Sequence, residues 1–118
     1  GKDHPQTLTS RGNLAGAYES AGRLGEAIPL YEQVLADRVR VLGADHPQTL
    51  TSRNNLAGAY RAVGRVDDAR ALLEDTLKVC EDTMSPDHPL TTRVRKSLET
   101  LRREMNPAPA SSPESSDE

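Results

Sequence analysis

Phenylalanine and tryptophan are missing from this chain, and its aromatic residues are three tyrosines, Tyr18, Tyr31 and Tyr60. Any core must then be assembled from Leu, Val, Ala and those tyrosines, which suits closely packed helices with small residues where they cross. A single cysteine, Cys80, excludes an intrachain disulfide. No apolar run approaches the roughly 18 residues that a spanning helix requires, and no charged-then-apolar leader opens the sequence. Cytoplasm is therefore the default expectation. A strong charge of either sign is absent as well. Lys and Arg number 15 and Asp and Glu 18, but Glu114, Asp117 and Glu118 lie beyond Asn106, so residues 1–105 carry 15 of each. Such a balanced body lacks the concentrated basic surface that nucleic acid binding demands, and no nucleic acid or membrane partner is expected. Glycine-rich phosphate loops and paired-carboxylate signatures are also absent. No catalytic residue, metal or cofactor is assigned, and the expectation is a protein that is not an enzyme. The basic residues are 12 Arg to 3 Lys and alanine is abundant, a bias that hints at a GC-rich bacterial genome.

What the sequence has is repetition. DHPQTLTSRGNLAGAY, residues 3–18, returns as DHPQTLTSRNNLAGAY, residues 45–60, and a third copy starts at Asp87, His88 and Pro89 before drifting. The copies are evenly spaced, and residues 3–44 match residues 45–86 at half of their positions. A period of this size marks a repeat protein, in which each unit is one supersecondary element that buries its apolar side only by stacking on its neighbours.

Each unit opens with helix-start signals. Asp3 can accept a backbone N–H of the first turn, Gln6 can reach back, and Pro5 stands where a missing N–H costs nothing; Asp45 and Gln48 repeat the arrangement. Leu8, Leu14, Ala15, Tyr18 and Ala21 then fall close to helical spacing until Gly22 stops the helix, as Gly64 does in the second copy. The second helix of the first unit is expected from about Leu24 to Leu42, with Leu24, Ala27, Ile28, Tyr31, Val34 and Leu35 on one face, Pro29 near its first turn, and Gly43 ending it. Its counterpart is expected from about Val66 to Thr83, with Ala69, Leu72, Leu73, Leu77 and Cys80 inward and Ser85–Pro86 closing it. At about 1.5 Å per residue these second helices are roughly 27 Å long. The third unit supplies one helix, from about Pro89 to Met105. Where the earlier copies have Ala15 and Ala57 it has Glu99, and where they have Tyr18 and Tyr60 it has Arg102, which is the signature of a capping helix with a wet outer face. The closing NPAPASSPESSDE is acidic, rich in Pro and Ser, and has no large apolar residue, so residues 106–118 are expected to be a disordered tail.

NLAGAY followed by AGRLGEA in residues 13–27, and NLAGAY followed by AVGRVDDA in residues 55–69, resemble the tetratricopeptide repeat. Leu14, Ala15, Tyr18, Gly22 and Ala27 fill the places of that family's Leu, small, Tyr, Gly and Ala pattern, as do Leu56, Ala57, Tyr60, Gly64 and Ala69. The long unit, headed by DHP, looks like the variety found in kinesin light chains and in bacterial multi-repeat proteins. HEAT-type repeats are similar in length, at about 40 residues, but do not show Tyr, Gly and Ala at these offsets, and propeller blades need strands. Two departures from the family pattern stand out. The usual unit is about 34 residues with a proline near the end of its second helix, whereas Val39 and Glu81 occupy that neighbourhood here. Two and a half units are also fewer than the three or more usually needed, which suggests a fragment of a longer array whose first helix lacks a cap.

The resemblance implies an all-α, right-handed superhelix of antiparallel helix pairs. Five helices are expected over residues 1–105, with units at 3–44 and 45–86 and a capping helix at 87–105. It also implies a protein-interaction module that holds a peptide or protein segment in a concave groove lined by the first helix of each unit. In the family the residue before the core Leu is often an Asn that bonds the ligand backbone, and the matching positions are Asn13, Asn55 and Ser97. One turn earlier lie Thr9, Thr51 and Arg93, with Asn54, Lys96 and Arg61 flanking. The last helix carries Arg93, Arg95, Lys96, Arg102 and Arg103 against Glu99 and Glu104, an excess that would favour an acidic peptide, the chain's own tail included, although an ordinary solvated face is the simpler reading. A second function of a different class is self-association into a homodimer through the uncapped first helix.

His4, His46 and His88 invite a zinc reading. Ligand nitrogens must come within about 2.0–2.1 Å of one ion, while packed helix axes stand about 8–10 Å apart and two helices separate equivalent positions, so the three belong to helix starts. Cys80 reads as a small buried hydrophobe. Ser111, Ser112, Ser115 and Ser116 are open to modification in a solvated end.

Overall fold

A computed structural model of the chain describes residues 5–106; Asp3, His4 and the serines and acids of the segment 107–118 lie outside the described residues. Among the described residues five helices follow one another, α1 Pro5–Ser20, α2 Leu24–Leu42, α3 Pro47–Ala62, α4 Val66–Thr83 and α5 Pro89–Met105, and there is no strand. Each helix packs on the next, and α3 also touches α5.

The short turns within the helix pairs share one construction. Gly22 takes φ +78° and Gly64 φ +87°, a left-handed conformation that side chains resist. Arg23 N–H then reaches the Tyr18 carbonyl at 2.8 Å and Gly22 N–H the Glu19 carbonyl at 3.0 Å; Arg65 to Tyr60 at 2.9 Å and Gly64 to Arg61 at 3.1 Å repeat the pattern. These paired bonds satisfy the last carbonyls of α1 and α3 and reverse the chain. The arginine after each glycine lies over the tyrosine ring, 4.9 Å from the centroid for Arg23 on Tyr18 and 4.1 Å for Arg65 on Tyr60, and also bonds an acid at the head of the next helix, Glu26 or Asp68.

At the start of α3 the cap differs from expectation, and α5 opens in the same way. Asp45 does not serve; the Nδ1 of His46 accepts from Gln48 N–H at 3.1 Å, and the Nδ1 of His88 accepts from Leu90 N–H at 3.1 Å. Pro47 and Pro89 fix the first helical position, so the preceding histidine becomes the cap and the aspartate sits one residue too early. Pro29 lies just beyond the first turn of α2. It is the sixth residue of α2 and has no N–H for the Gly25 carbonyl, but Gly25 is exposed and water can take that bond.

Among the described residues two apolar clusters hold the stack. In the first, Leu56 and Ala59 of α3 enter a recess of Ala15, Ala27 and Tyr31; in the second, Leu90, Val94, Leu98 and Leu101 of α5 close over Leu50, Ala57, Ala69, Leu73 and Cys80. Tyr60 and Leu72 border both clusters. Ala27, Tyr31, Val34, Ala69, Leu73 and Cys80 are buried as the helical spacing implies, while Glu99 and Arg102 are exposed. Leu14 and Ala21 depart from the pattern. Leu14 is 47 % exposed although its counterpart in the next unit, Leu56, is 3 % exposed, because no described helix packs on that side of α1. Ala21 is exposed at the turn.

Candidate functional site

Between α3 and α5 lies a cavity of about 310 Å³ lined by Ala57, Gly58 and Arg61 of α3, Leu73 of α4, and Arg93, Lys96, Ser97 and Thr100 of α5. The α5 residues recur at helical spacing and so form one stripe. The cavity exists because the facing part of α3 carries Ala57 and Gly58 rather than larger side chains, and Leu73 gives it an apolar wall.

Its rim is cationic. Arg61 holds Glu104 through two bonds, Nε to Oε1 at 2.7 Å and Nη2 to Oε2 at 2.5 Å. The pairing pushes the Arg61 guanidinium up from its ordinary range and holds the Glu104 carboxyl below its own. Arg93 and Lys96 form no ion pair among the described residues. Two cations thus stand beside a third that is already neutralised.

Of the residues expected to line a groove, Arg61, Arg93, Lys96 and Ser97 meet at this cavity. Asn54 shares the α3 stripe with Gly58 and Arg61, one turn away, and its Oδ1 is buried without a hydrogen-bond partner. Asn13 and Asn55 are exposed and do not line the cavity. Thr51 turns its hydroxyl back to the Pro47 carbonyl at 2.9 Å. Thr9 accepts from Arg38 at 3.3 Å and lines a separate open depression with Gln6, Ser10 and Gln48. Ala57, Gly58, Leu73 and Thr100 join the site from outside the expected set; the run of small residues in NLAGAY signals Ala57 and Gly58, and helical spacing from Arg93 and Lys96 signals Thr100.

The family model for the tetratricopeptide repeat matches residues 1–38, 22–82 and 52–112. Two solved structures of nearly identical TPR-like repeats, from a chain of Podosopora anserina described as a kinesin light chain, are similar to this one. The first, a form with a point substitution, aligns with TM-score 0.77 and 35% identity over 87% of this chain and 49% of its own; the second aligns with TM-score 0.67 and 27% identity over 92% and 61%. The present chain therefore spans about half to three fifths of those structures. No curated protein matches it.

Proposed function

This chain belongs to the tetratricopeptide repeat family, whose members are generally protein-interaction modules, and we propose that it captures an acidic peptide segment in the groove between α3 and α5. One observation carries this reading: Arg93 and Lys96 stand without ion-pair partners among the described residues over a wall formed by Ala57 and Leu73. A carboxylate on the ligand gains charge-assisted bonds from the two cations, while an adjacent apolar side chain fills the cavity beneath. Asn55 and Asn13 extend the track along α3 and α1 for contacts with the ligand backbone. The module does no chemistry of its own, and cytoplasm remains the expected compartment.

The test is a screen of the chain against arrayed peptides of graded acidity, followed by fluorescence polarisation on the hits. Binding should favour Asp- and Glu-rich peptides, weaken with added salt, and fall at least tenfold in the double variant Arg93→Glu, Lys96→Glu with helicity unchanged. Undiminished binding by that variant would refute the groove.

A second reading is favoured by the open side of α1. Leu14, Tyr18, Pro29 and Leu30 form a shallow apolar recess on α1 and α2, whereas the equivalent Leu56 and Tyr60 pack against the preceding unit. The opposite end shows Glu99, Arg102 and Arg103 to solvent, so a head-to-tail partner is unfavourable and a second copy would meet this face across a two-fold axis. Sedimentation should then reveal a concentration-dependent dimer that Leu14→Glu abolishes; a monomer at high concentration rules the dimer out.

A further inference from the structure

The junction between the first two helix pairs buries a cation that faces no anion among the described residues. Arg38 of α2 is 8 % exposed, and its guanidinium is held by oxygens of neutral groups: Ser52 Oγ at 2.8 Å, the Gln48 carbonyl at 3.4 Å and Thr9 Oγ1 at 3.3 Å, with Nε unpartnered. The last two distances are long for N–H···O bonds, so they hold the group loosely. The neighbouring carboxylate, Asp37, faces Arg11 and Arg40, both at 3.0 Å, and is not shared with Arg38. Burying a charge without a counter-ion is costly, and burial holds the guanidinium below its usual range.

The fold does not require this arrangement. One unit further on, Arg38 is replaced by Cys80, Gln48 by Leu90 and Ser52 by Val94, and all three replacements are buried and apolar. The same junction is thus built once with a cation and hydroxyls and once with a plain hydrocarbon-like contact. Above the cationic version lies the depression of Gln6, Thr9, Ser10 and Gln48, about 510 Å³ and open to solvent, with the Thr9 hydroxyl as its link to Nη2. We propose that this depression is an oxyanion site, in which a phosphoryl or carboxylate group bonds the Thr9 and Ser10 hydroxyls and reaches the guanidinium of Arg38 when Thr9 rotates aside. The ligand supplies the missing negative charge, and a planar guanidinium suits two oxygens of one group.

The experiment is a titration of the ¹⁵N-labelled full chain with sodium phosphate, and separately with sodium acetate, against sodium chloride at equal ionic strength. Phosphate or acetate should produce saturable shifts at the Arg38 Nε–H and at the amides of Thr9, Gln48 and Ser52, with a rise in Tm of several degrees at saturation. The more effective anion names the source, a phosphoryl group or a carboxylate. Arg38→Met should lose the response at least tenfold, and it should fold because its counterpart is Cys80. Thr9→Val, at an exposed position, provides a second variant in which the affinity falls several-fold with the fold untouched. Shifts that chloride reproduces, or that keep the parent's affinity in Arg38→Met or Thr9→Val, would overturn the site and leave Arg38 as a structural strut.

Discussion

Tyr60 on α3 donates its hydroxyl to Glu32 on α2 at 2.6 Å, and at the corresponding places one unit later Arg102 on α5 donates to Glu74 on α4 at 3.2 Å. The acid is retained while the donor changes from a phenol that packs to a guanidinium that faces water. One strut thus serves two environments: the tyrosine inside the stack, the arginine on its last helix. Replacing Tyr60 with Phe should cost about 0.5–1.5 kcal/mol, the net value of one hydrogen bond, measured by urea denaturation with an unchanged m-value. Arg102→Ala, which breaks an exposed pair, should cost less than about 1 kcal/mol.

Tyr31 gives a pH signature. Its hydroxyl donates to Glu19 at 2.8 Å from a buried ring, and burial first, then the Glu19 bond, pushes its ionisation well above the tyrosine norm. The folded state therefore favours the neutral phenol. Its contribution to stability is complete below the unfolded value of about 10 and declines as pH rises beyond it. Thermal melts of the parent and of Tyr31→Phe at rising pH above about 10 should converge, the parent losing stability faster. Parallel loss in the two proteins would show that the phenol ionises as freely folded as unfolded.

Two glycines should respond in opposite directions. Gly64 has φ +87°, and an alanine there should cost about 1–2 kcal/mol through backbone strain. Gly12 stands within α1 with no atom near the place a Cβ would occupy, and alanine there should add about 0.5–1 kcal/mol. Paired denaturation curves decide both.

Leu56 and Leu14 occupy the same place in successive units with unequal cover. Leu56→Ala should cost about 2–5 kcal/mol as a core truncation, whereas Leu14→Ala should lie within about 0.5 kcal/mol in dilute solution. Equal costs would mean that Leu14 is covered in solution, as a dimer requires.

Much of this architecture is legible in the letters. Proline at helix starts and glycine or Ser–Pro at helix ends punctuate the chain so strongly that α2, α4 and α5 have the boundaries their spacing implies. Glu99 and Arg102 in place of Ala and Tyr announce the exposed face of the last helix. The capping role of His46 is not legible, because Asp is the commoner cap and the offset is decided by where Pro47 sits. Nor is the exposure of Leu14, since the letters of a unit do not say whether a neighbour packs on it. At the cavity, the charged residues of α5 and Arg61 can be read from helical spacing and family pattern. Ala57, Gly58 and Leu73 cannot, because the gap they line is set by how the first helices of successive units lean together. The Arg38 network spans three helices through bonds that no linear spacing signals.

Among the described residues the two apolar clusters share Tyr60 and Leu72 at their border, and the molecule should therefore come apart like a zip and not like a drop. Fraying would begin at α1, whose outer side no described helix covers, and would leave α3 to α5 intact for a time. Amide exchange should then run fastest in α1 and slowest in α4, so a partner that seats on the bare side would slow the whole gradient without touching the far helices.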